Sequence, residues 1–179
     1  MKKVFFVFSI VLMFLIVGIE VDAKTPTKPS PARTTFTLKS LINQLRYQKN
    51  DVLGISQNQI TRAMKGLGFV YSGTAQTSLE DDRYESEEPT WKSVNVLKFT
   101  KRNITVSFYS WASDKTLSQI SLSFENATDA KAFIQASKKA MGRSLQGESP
   151  DYYVEYYDVI WRITLQGSEV QINLYENMG

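Results

Sequence analysis

Neither cysteine nor histidine occurs anywhere in this chain. Without cysteine there is no disulfide, no thiol redox centre, no thiolate nucleophile and no lipidated cysteine anchor. Without histidine there is no Ser-His-Asp site and no imidazole-ligated zinc. Two catalytic chemistries remain, a lysine-activated serine and a carboxylate pair, and the first loses its usual signature because no Ser-x-x-Lys occurs. Excess charge of one sign is also lacking: 21 basic and 18 acidic residues leave a net +3, with the lysines and arginines scattered. That pattern gives no electrostatic footprint for nucleic acid. The one long apolar run, Val4 to Ile19, covers 16 residues, short of the roughly 20 that a membrane-spanning helix needs.

What that run does carry is the pattern of a secretory leader. Lys2 and Lys3 precede it, and Val21-Asp22-Ala23 follows with small side chains where signal peptidase accepts them. Residues 1–23 therefore read as a signal peptide cleaved after Ala23, which predicts a secreted or periplasmic protein, bacterial in type, with no integral span after cleavage. Residues 24–36 hold three of the five prolines and no aliphatic side chain larger than alanine, the composition of a flexible tether. Residues 37–179 are long enough for one domain with its own core.

Within that domain the apolar spacing predicts three helices. Leu38, Leu41, Ile42 and Leu45 follow i, i+3, i+4, i+7 behind Thr37 as N-cap. Ser56 caps a second run, with Ile60, Ala63, Met64 and Leu67 on one side and Gly66 or Gly68 as its stop. Asn126 or Thr128 caps the third, whose inner face is Ala130, Phe133, Ile134, Ala136, Ala140 and Met141, ending at Gly142. Strand-like segments lie between and after them: "FVYSGTA", where the period turns toward two, "SVNVLKF", of mixed alternation, "NITVSFYSW", "LSQISLSF", one long run "YYVEYYDVIWRITLQ", and "EVQINLY" behind a Gly-Ser turn of type II′ chemistry. The prediction is an α+β fold: an antiparallel sheet of about six strands with the helices on one face. Gly68 and Gly73 recur in spacing as Gly142 and Gly147, which suggests two α-then-β half-units, 56–125 and 126–177. Both pairs leave a helix C-terminus, whereas phosphate loops enter a helix N-terminus, so a phosphate site is not expected. The order of elements is similar to that of secreted inhibitor modules of the beta-lactamase-inhibitor-protein type and of envelope assembly lipoproteins; the disulfides or lipidated cysteine usual there are absent here, and no residue role carries over.

Candidate binding residues come from strand parity. Ile104, Val106 and Phe108 share one face, so Tyr109 and Trp111 point to the other. In the long run, Tyr153, Tyr157, Val159, Trp161, Ile163 and Leu165 share the parity expected for the core, leaving Tyr152, Val154, Tyr156 and Ile160 outward. Tyr109, Trp111, Tyr152 and Tyr156 would then form an aromatic platform of the kind that anchors interfaces and stacks on sugars. The acidic stretch 78–89 offers Glu80, Asp81, Asp82 and Glu85 as oxygen donors for calcium, without the alternating spacing of an EF-hand loop. No metal or other cofactor is expected. The sequence thus points to a non-catalytic binding module that meets an envelope or extracellular protein or a glycan. The alternatives are a structural component of the cell envelope, or a small hydrolase using two carboxylates.

Overall fold

The computed structural model of the protein describes residues 36–81, 90–156 and 158–177. Residues 1–23, read above as a signal peptide, and all but Phe36 of the segment read as a tether lie outside them. Three helices appear where the apolar spacing placed them: α1 (Leu38–Gln48), α2 (Gln57–Gly66) and α3 (Ala127–Met141). Their ends follow from local chemistry. Thr37 and Ser40 cap each other reciprocally, the Ser40 N–H donating to Thr37 Oγ1 at 3.2 Å and the Thr37 N–H to Ser40 Oγ at 3.0 Å. Asn126, not Thr128, caps α3 by accepting the Asp129 N–H at 2.9 Å. Helix α2 closes in a Schellman motif, with Phe69 N–H on the Met64 carbonyl and Gly68 N–H on that of Lys65, each 2.9 Å. Gly68 sits there at φ +77, which a side chain would resist.

Eight strands, two more than the sequence suggested, form one antiparallel sheet in the order β1-β2-β3-β4-β8-β7-β6-β5. They are β1 (Val70–Glu80), β2 (Trp91–Lys101), β3 (Ile104–Trp111), β4 (Leu117–Phe124), β5 (Gln146–Glu148), β6 (Asp151–Tyr156), β7 (Val159–Gln166) and β8 (Glu169–Glu176). The miscount has two causes. Strand β5 spans three residues, too few to show a period. The long run is not one strand: Tyr156 pairs with Val159, so the chain reverses over two residues that carry no glycine, asparagine or proline.

That reversal also corrects the parity. A two-residue turn sets residue i opposite i+3, so even numbers on β6 share a face with odd numbers on β7. Tyr152 and Val154 therefore join Val159, Trp161 and Ile163 in the core, while Tyr153 faces away and is exposed. Tyr157 lies outside the described residues. The second hairpin follows expectation, with Gln166 opposite Glu169 and Gly167 alone of the two turn residues at positive φ, as type II′ requires.

All three helices lie on one face of the sheet and share a single core with both meanders, β1–β4 and β5–β8. Leu41, Ile42, Leu45, Ile60 and Met64 meet Phe99, Phe108, Ile120, Ile163 and Ile172, all fully buried or nearly so; each such side chain contributes about 1.5–3 kcal/mol on leaving water. One polar group belongs to this layer. Ser137, fully buried on α3, accepts the Leu38 N–H of α1 at 2.9 Å and so satisfies a helix-end donor across 99 residues of sequence. Ala136 and Ala140, expected in its place, are only half-buried.

Candidate functional site

The opposite face of the sheet carries no helix among the described residues. Its register can be followed across all eight strands: Ala75, Val96, Tyr109, Gln119, Asn173, Arg162, Tyr153 and Gln146 stand in one row. On β2 and β3 of this face Val94, Val96 and Trp111 form a second, smaller apolar cluster, with Leu79 and Tyr109 packed against it. This arises because β2 and β3 are apolar on both faces over these residues, Leu97 and Phe99 turning to the helices while Val94 and Val96 turn away.

Of the four proposed platform residues, Tyr109 and Trp111 do share this face. Tyr109 is half-buried; burial raises its phenol pKa above the ordinary value, with Glu169 adding to the rise and a hydrogen bond from Ser107 opposing it. Trp111 is only 3% exposed and belongs to the cluster rather than to an open platform. Tyr152 and Tyr156 lie on the other side, among the helices. The Lys138 ammonium stands 4.5 Å from the Tyr152 ring centroid, and the Arg46 guanidinium 5.6 Å from that of Tyr156. The platform of four is therefore divided by the sheet.

The acidic stretch is also divided. Asp82 and Glu85 lie outside the described residues. Glu80 ends β1 and is exposed, whereas Asp81 is buried and pairs with Lys92 at 2.6 Å. Among the described residues no three acids converge on one point.

A cavity opens where the two meanders part. Strands β4 and β8 pair only from Gln119–Asn173 to Ser123–Glu169. Beyond Gln119, β4 continues against β3 alone, and beyond Asn173, β8 continues against β7 alone. The resulting cleft has a volume of about 720 Å³. Leu53, Leu117 and Leu174 lie at its apolar end, Trp91, Trp111 and Tyr175 supply aromatic surface, and Gln119, Gln171 and Asn173 supply amides. The Gln171 amide donates to Asn173 Oδ1 at 3.2 Å, and each amide keeps a further polar atom for another partner. Glu80 and Glu176 also line the cleft, and no lysine or arginine does among the described residues. Arg162, on β7, lies 5.5 Å from the Tyr175 ring centroid, outside the lining.

Trp91 is the residue the sequence reading missed. It is 63% exposed, the largest exposed aromatic surface at the cleft. Its signal was present, a tryptophan directly after the acidic run, but β2 was read as beginning at Ser93.

No protein-family model, curated protein or solved structure matches this chain. Among the described residues no helix is long and apolar enough to cross a membrane.

Proposed function

We propose that this is an exported, non-catalytic binding module that holds an uncharged glycan in the cleft between its two meanders. The observation that carries the reading is the lining itself: exposed Trp91 beside Trp111, Tyr175 and three amides, without a basic side chain among the described lining residues. Aromatic faces stack on the C–H faces of sugar rings, and amides donate and accept at once, as vicinal hydroxyls do. A volume of about 720 Å³ falls in the range of small-ligand sites and accommodates two or three sugar rings. Two carboxylates and no cation among the described lining residues disfavour an anionic ligand.

The test is intrinsic fluorescence of the exported protein titrated with neutral oligosaccharides, since two of the three tryptophans, Trp91 and Trp111, border the cleft. Binding should shift the emission, and Trp91→Ala should weaken it at least tenfold, about 1.4 kcal/mol. Trp91 is mostly exposed, so its removal leaves the fold intact. Unchanged affinity in Trp91→Ala, or silence toward every neutral glycan, would sink the proposal.

A second reading has one observation in its favour: Glu80 and Glu176 border the same cleft, and glycoside hydrolysis uses two carboxylates. Both are exposed at strand ends, without the apolar enclosure that keeps a general acid protonated. Release of reducing ends, abolished by Glu176→Gln, would favour the hydrolase.

A further inference from the structure

The two edges of the sheet are unequal. Strand β5 ends one side with three residues, too short to template another chain. Strand β1 ends the other with eleven, Val70–Glu80, and is exposed along almost its whole length, with only Gly73 and Leu79 partly covered. Soluble proteins guard long edges with lysine, proline or brevity. Strand β1 has no proline and a single charge, Glu80, at its last position. The rest is valine, tyrosine, threonine, serine, glutamine, alanine, leucine and one glycine, largely residues that suit a pleated half-exposed surface. Strand β2 pairs with one side of β1, and among the described residues no strand pairs with the backbone N–H and C=O groups of the far side.

We propose that β1 pairs antiparallel with β1 of a second copy, making a two-fold dimer with one continuous sheet of sixteen strands. Three features favour a second copy as the occupant. An antiparallel pair of identical strands is self-complementary about a two-fold. The segment after the bulge at Tyr71/Gly73 is regular, and a two-fold at Thr77 sets Ala75 against Leu79, Gln76 against Ser78 and Thr74 against Glu80, with no like charges opposed. The short β5 edge offers no second site, so pairing closes as a dimer instead of running head-to-tail into a fibre.

The absence of cysteine makes the test clean. In the two-fold register Thr77 faces its own counterpart, with Cα atoms close enough for a disulfide, so Thr77→Cys should crosslink the exported protein into dimers under mild oxidation. Gln166→Cys, exposed at the distant β7–β8 turn, should remain monomeric. By sedimentation equilibrium the unmodified protein should show a concentration-dependent mass approaching twice that of the chain, and Thr77→Lys, which opposes two ammonium groups across the axis, should hold the monomer mass. A unit mass at all concentrations without the Thr77→Cys crosslink would overturn the proposal. So would a dimer indifferent to Thr77→Lys, or a ladder of higher oligomers. Thr77 is exposed, and an unchanged circular dichroism spectrum would separate loss of pairing from loss of fold.

Discussion

Gly147→Ala tests the packing of the short edge quantitatively. Gly147 lies in β5 at φ +90, and a Cβ built there would stand 2.5 Å from the Asp151 carbonyl oxygen and 3.1 Å from Tyr152 Cα. Both contacts are backbone atoms, so no side-chain rotation relieves them. The left-handed conformation alone costs an L-residue about 1–2 kcal/mol. The overlap adds the cost of an overpacked site, about 1–3 kcal/mol, because β6 is held from its other side by β7 through pairs such as Asp151–Thr164. The sum is about 2–5 kcal/mol. Gly167→Ala isolates the first contribution: Gly167 has φ +57 in the β7–β8 turn, and nothing lies within 4 Å of an added Cβ. At roughly 2–4 °C per kcal/mol for a domain of this size, Gly147→Ala should lower Tm by about 4–20 °C and Gly167→Ala by about 2–8 °C. Thermal melts followed by circular dichroism, with urea midpoints as a second measure, read the difference. Equal losses in the two variants would refute the steric argument and leave only the backbone preference.

Ser137→Ala should cost about 1–3 kcal/mol by stranding the Leu38 N–H in the core, visible as a lowered urea midpoint at unchanged m; the open-face control Ser121→Ala should cost far less. Tyr109 holds its proton more tightly folded than unfolded, so the stability this provides is complete below the ordinary phenol range and is lost as pH rises through the raised folded value. Ultraviolet titration of tyrosinate should show one late-titrating tyrosine that Tyr109→Phe removes, and that variant should lose less stability above about pH 10; an unchanged titration curve would reject the burial argument.

The helices were legible because their information is local. Thr37, Ser56 and Asn126 mark the starts, Gly68 and Gly142 the ends, and the apolar stripes between them need no knowledge of the sheet. The antiparallel α+β class was legible for the same reason. The strand count and the platform were not, because both depend in part on one reversal at residues 157–158 that has only Asp158 to signal a turn, and the count also on a β5 of three residues. A single missed turn exchanges the two faces of everything on one side of it, and this is why Tyr152 and Tyr156 were assigned outward although they pack among the helices. Ser137 was missed because a hydroxyl inside an apolar stripe has meaning only when a helix N-terminus from far away in sequence is placed against it. The cleft was unreadable for a deeper reason: it lies where β4 and β8 cease to pair, and the length of that pairing is a tertiary quantity that neither strand's residues specify.

The cleft and the edge meet on one sheet, because Leu79 and Glu80 at the end of β1 also line the cleft. The seam between β4 and β8 is central, whereas β1 is the outermost strand of the first meander. A two-fold that joins β1 to its copy within a continuous sheet runs perpendicular to the sheet, so the helix-free faces of both copies lie on the same side. The two clefts then open toward one surface, with the paired β1 strands, whose Leu79 and Glu80 line each cleft, between them. On the proposed function, a repetitive glycan would engage both at once, its second contact forming at the high effective concentration set by that fixed spacing. Weak single-site binding by a small cleft becomes sufficient under those conditions. A free monomer, with its long edge unguarded, would have neither that advantage nor protection for β1.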